Sequence, residues 1–128
     1  MNTLARLSIL LSPLLLAACA ATTPPPKDFP AGARTPSAAE LTTLLRGKSF
    51  DAVASNGSTY RTQYAANANG VTVFFSGRSD NGTWRAEEGR VCYTFETIPS
   101  TCSDYRLVGQ DLYMKRANGE VVQTTPVR

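Results

Sequence analysis

The sequence predicts a mainly β domain: an antiparallel meander of about eight short strands forming a small barrel or curved sheet, with one short helix on its amino-terminal side. Two observations carry this. From Lys48 onward, short aromatic and β-branched runs are cut by turn pairs, four of them Asn-Gly, whose residues tolerate the positive φ of tight hairpins. Within the runs, apolar and polar residues alternate, as they must where one face of a strand is buried.

The helix comes first. Ser37 is followed three residues later by Glu40, Pro36 precedes it, and Ala38, Leu41, Leu44 and Leu45 recur at helical spacing. Ser at the cap and Glu at the third position can each satisfy a backbone donor that a helix start leaves open, and Gly47 supplies a stop. A helix over Ser37 to Arg46 follows. It is too short to be stable alone, so its leucine face must dock.

The strands are expected at Phe50 to Ala54, Thr59 to Ala65, Val71 to Ser76, Thr83 to Glu87, Arg90 to Glu96, Ser103 to Val108, Leu112 to Arg116 and Val121 to Thr125. Asn56-Gly57, Asn69-Gly70, Asn81-Gly82, Glu88-Gly89, Gly109-Gln110 and Asn118-Gly119 are the expected turns. Tyr60 and Tyr64, Trp84, and Val91, Tyr93 and Phe95 fall on the apolar face. Phe74 and Phe75 break the alternation, because neighbours in a strand point to opposite sides. One of them must leave the core face, either beneath the leucines of the helix or as an exposed contact that, with Arg78, would meet a partner.

Cys92 and Cys102 flank a turn around Thr97 to Pro99, and an oxidising compartment makes a disulfide the default. If they face each other across a hairpin, Tyr93 opposes Thr101 and Val91 opposes Ser103. Closing so short a loop contributes about 2.5 to 3 kcal/mol.

Ahead of the domain lie two segments of different texture. Met1 to Arg6 carries one base, Leu7 to Leu16 is apolar apart from Ser8, Ser12 and Pro13, and small residues follow, the order of a secretory signal. The apolar run is about half the length needed to cross a bilayer. Residues 20–36 hold prolines at 24, 25, 26, 30 and 36 with few apolar side chains, which favours an extended tether reaching roughly 50 Å. The organisation is therefore residues 1–18 as signal, 19–36 as tether and 37–128 as the folded domain.

Composition narrows the function classes. Of 128 residues, 42% are hydrophobic and 18% charged, the balance of a globular domain. The net charge is +3, and the bases are scattered among acids, so the stripe that binds nucleic acid is missing. No histidine is present, which excludes Ser/His/Asp and Cys/His nucleophiles and the commonest metal ligand. The acids Asp80, Glu87, Glu88, Asp104 and Asp111 are expected at turns and strand ends, where nothing pairs two of them around one cleft. Asp80-Asn81-Gly82 lacks the later ligands of a calcium loop. The expectation is a protein that is not an enzyme and needs neither cofactor nor metal.

Leu16-Ala17-Ala18-Cys19 resembles the lipobox of bacterial lipoproteins. The resemblance implies cleavage before Cys19 and acylation of that residue, which would also account for the odd cysteine of three. Ala20 after the cysteine is similar to the Gram-negative proteins sorted to the outer membrane. In the domain, Gly82-Thr83-Trp84, Gly89-Arg90-Val91-Cys92 and the later Cys102 resemble the Gly-x-Trp, Gly-x-x-Cys, Cys pattern of small exported β domains of proteobacteria, which implies a fold and no activity. The partners so implied are the membrane, through the lipid, and an envelope protein or peptidoglycan. The size, anchor and disulfide-containing barrel are also similar to envelope inhibitors of lysozymes and proteases, with Phe74-Phe75-Ser76-Gly77-Arg78 as the projecting loop.

Overall fold

A computed structural model describes residues 23–128. The signal segment 1–18 and Cys19 lie outside the described residues. Among the described residues, one helix, α1 (Ala38–Leu45), precedes eight strands: β1 (Ser49–Val53), β2 (Thr59–Tyr64), β3 (Gly70–Phe75), β4 (Arg78–Glu87), β5 (Arg90–Phe95), β6 (Thr101–Val108), β7 (Asp111–Lys115) and β8 (Val121–Pro126). Each pairs antiparallel with the next, and β1 closes on β8 to make a barrel in sequence order. Closure removes the free edges that a sheet would otherwise expose.

The helix starts as its sequence demands, with the Ser37 hydroxyl accepting the Glu40 N–H at 3.1 Å. The reciprocal half of the capping pair is replaced. Glu40 instead takes a bidentate pair from Arg34, at 2.6 and 2.9 Å. Leu41 and Leu45 are fully buried and join Phe50, Tyr64, Trp84 and Val91 in one core, so α1 plugs the barrel end where β1 begins. Tyr64 packs edge-on to Trp84 at 5.1 Å and to Phe50 at 6.1 Å.

In the middle of the barrel three buried tyrosines share hydroxyls. Tyr93 lies 2.6 Å from both the Tyr64 and the Tyr105 oxygen. Burial pushes all three phenols up, Tyr64 to about 12.

Three expectations need correction, two in the barrel and one ahead of it. Asn81-Gly82 is not a turn: it lies inside β4, which begins at Arg78 rather than Thr83, and the hairpin turn is Ser76-Gly77, with φ of 48° and 71°. Gly82 answers a different need. A Cβ there would stand 2.2 Å from the Thr94 carbonyl oxygen, so the glycine permits close approach of β5. The α1 leucines, moreover, do not cover Phe74 or Phe75, because α1 sits at the opposite end of the barrel from both.

The segment ahead of α1 is strapped to the barrel where an undocked tether was expected. The Pro26 carbonyl accepts the Val121 N–H at 2.8 Å, and Arg34 pairs with Leu107 through two backbone bonds of 2.8 and 3.0 Å. Between them the Phe29 ring lies under the Arg106 guanidinium and the Lys115 ammonium, at 5.2 and 5.4 Å. Pro36 is buried, and its carbonyl accepts the Gly89 N–H at 2.8 Å. These carbonyls meet backbone donors that the adjoining strands leave unpaired.

Candidate functional site: the unplugged mouth of the barrel

With α1 filling one end, the other end is framed by the β1–β2, β3–β4, β5–β6 and β7–β8 connections. A cavity of about 410 Å³ opens there, a size within the roughly 300 to 1,000 Å³ usual for small-ligand sites. Strand alternation supplies its walls. Tyr60 and Thr62 come from β2, Val73 and Phe75 from β3, Tyr93 and Phe95 from β5, Thr101 and Ser103 from β6, and Met114 from β7, with Ile98 and Arg116 from the rim loops. Phe95 stacks on Tyr93 with ring centroids 5.6 Å apart.

Two carboxylates hold the rim in shape. Asp80 faces inward and accepts backbone N–H groups from Asn81, Thr97 and Ile98 at 3.1, 3.1 and 2.9 Å, which pins the β5–β6 loop. The Ile98 N–H is the largest cause holding its carboxyl below the usual range. Glu120, also buried, accepts the Ser55 N–H at 2.6 Å with one oxygen and pairs with Arg116 at 2.6 Å with the other. Burial alone would raise Glu120; Arg116 and the Ser55 amide outweigh it and lower it. This pair bridges a seam, since β1 and β8 pair only at Phe50–Pro126 and Asp51–Thr125.

One polar group in the mouth lacks a partner. The Tyr60 hydroxyl is buried without a hydrogen bond, although the Arg116 guanidinium lies 5.7 Å from its ring. The only other such side-chain atom among the described residues is Trp84 Nε1, deep in the core. An unpaired buried hydroxyl costs about 1 to 3 kcal/mol, which a ligand acceptor would recover.

The residues singled out in the sequence divide between the two faces of the wall. Cys92 and Cys102 are bridged directly opposite each other, with Tyr93 opposite Thr101 and Val91 opposite Ser103. Phe74 points outward and is 41% exposed, beside the Asp51–Arg61 pair. Phe75 points into the mouth, and Arg78 lies over its ring at 5.6 Å. The acids do not converge: Glu87 pairs with Arg85 and Asp104 with Arg90 on the outer surface. Asp80, expected as a solvated acid at a turn, is instead buried within β4 and bound by three backbone amides. Ile98, Arg116 and Glu120 carry no local signal as site residues, and Tyr60 shows only its inward phase.

The fold and the mouth therefore rest on this chain's own geometry: no family model, curated protein or solved structure matches it.

Proposed function

We propose that this is an envelope lipoprotein, cut after residue 18, lipidated at Cys19 and held at a membrane, the outer one in a Gram-negative cell, where its barrel acts as a binding module rather than an enzyme. The order of charged, apolar and small residues before Cys19 supports the anchor. The observation that carries the binding role is the mouth, an apolar cavity of about 410 Å³ with one buried, unpaired hydroxyl inside it.

Mass spectrometry of the mature chain tests the anchor. A polypeptide beginning at Cys19 and heavier by its acyl groups is expected; an unmodified cysteine, or a chain that retains residues 1–18, would refute it. Native mass spectrometry tests the mouth. A small molecule should accompany the wild-type protein and be lost from Val73→Trp, which fills the cavity, while the urea midpoint of the variant shows that it is folded. Equal occupancy in both, or none in either, counts against a binding site there.

A second reading has its own support. Phe74, exposed beside the tight Ser76-Gly77 turn, presents an aromatic side chain on the outer surface together with exposed Val53. That patch suits an inhibitor of a lysozyme or protease in the envelope. Micromolar protein that slows no member of a panel of such enzymes would remove this reading.

A further inference from the structure

The strap gives the barrel a direction. Pro26 is fastened at Val121, the mouth end of β8, whereas Arg34 and Pro36 are fastened at Leu107 and Gly89, toward the plugged end. The chain therefore leaves the barrel, toward its amino terminus, beside the mouth. Only six residues lie between Cys19 and Pro26, a span of at most about 20 to 25 Å. A six-residue strand rises about 20 Å along its own axis and, with the roughly 40° tilt of strands in a closed barrel, about 15 Å along the barrel, so the plugged end stands that much farther from the point where the chain leaves.

The chemistry of the mouth matches what lies at that end. Val73, Phe75, Phe95, Ile98 and Met114 give the open mouth most of its apolar lining, beside the polar Thr62, Thr101 and Ser103. Arg78 stands at its rim over Phe75 and pairs with no carboxylate among the described residues. A largely apolar mouth with a cation beside its opening suits an amphiphile with an anionic head.

We infer that the strap aims the mouth at the bilayer that carries the anchor, and that the mouth takes one acyl chain of an anionic membrane phospholipid, with Arg78 meeting the headgroup. This rests on lipidation at Cys19.

The test uses the full lipidated protein in vesicles containing phosphatidylglycerol with a photoactivatable diazirine in one acyl chain. A fluorophore is placed either at the mouth, through Ser58→Cys, or at the plugged end, through Gln110→Cys, and lipid-borne headgroup quenchers report proximity. The mouth fluorophore should be quenched several-fold more than the other, and photolysis should label peptides bearing Phe75, Phe95 or Ile98. Phe75→Asp should reduce that labelling at least fivefold, and Arg78→Gln should reduce it for phosphatidylglycerol but not for a diazirine phosphatidylcholine.

Equal or reversed quenching overturns the orientation, and labelling confined to the outer wall overturns the acyl site. Failure of the underlying reading looks different: mass spectrometry of the same sample would then show Cys19 without lipid and the protein would float free of the vesicles.

Discussion

Replacing Tyr93 by Phe removes one oxygen atom from the centre of the barrel and unfastens two hydrogen bonds. The Tyr93 hydroxyl lies 2.6 Å from the hydroxyls of both Tyr64 and Tyr105, and all three residues are at most 7% exposed. The apolar packing of the ring survives the change, so the cost is polar. The Tyr64 and Tyr105 hydroxyls lose their shared partner and keep only each other, so part of their bonding capacity is left buried and unmet, which makes the expected loss about 1 to 3 kcal/mol. Against a total of roughly 5 to 15 kcal/mol that is a large share. Urea unfolding of the mature protein, followed by Trp84 fluorescence and by circular dichroism, measures it as a lower midpoint at unchanged slope. Tyr60→Phe is the matched control. Its hydroxyl is already unpaired in the mouth, so removing it should leave stability within about 0.5 kcal/mol of the parent or raise it. The reasoning fails if Tyr93→Phe is as stable as the parent, or if the two variants lose the same amount.

The remaining predictions concern pH, backbone approach and the disulfide. Because burial raises the phenols of Tyr64, Tyr93 and Tyr105, the folded state keeps protons that the unfolded state sheds above pH about 10; stability should fall from there upward, and phenolate absorbance should show these three ionising only with unfolding. Asp80 has the opposite sign, since its folded carboxyl is lowered by the Ile98, Thr97 and Asn81 amides: its contribution is present above pH about 4 and lost as the pH falls below it, so an acid titration of Asp80→Asn should show a flatter decline than the parent. Gly82→Ala should destabilise by at least about 2 kcal/mol, because the new Cβ meets the Thr94 carbonyl oxygen at 2.2 Å, whereas a surface change such as Gln110→Ala should stay within about 0.5 kcal/mol. Converting Cys92 and Cys102 to Ala together should cost about 2 to 3 kcal/mol in the same urea assay, and a loss under about 0.5 kcal/mol would mean that the loop is held by its hydrogen bonds to Asp80, Asn81 and Ser100 without the disulfide.

What the sequence determined by itself is what its local chemistry encodes. Ser37 placed a helix start because its side chain reaches the Glu40 N–H within one turn, and the alternation of Tyr60 with Arg61, or Val91 with Cys92, decided which side chains face the core. The Cys92–Cys102 register was legible for the same reason, since both ends of the hairpin lie within ten residues of each other. The tertiary structure decided everything that depends on which distant segments meet. Asn81-Gly82 read as a turn because glycine serves both turns and close approach, and only the position of Thr94 on the next strand shows which. The leucines of α1 advertised an apolar face without saying that it would plug one end of a barrel and leave Phe75 at the other. A proline-rich stretch with few apolar residues became a strap because Val121, Leu107 and Gly89, far along the chain, offered backbone partners. Those partners exist only once eight strands have closed on one another, and no window of neighbouring residues contains that information.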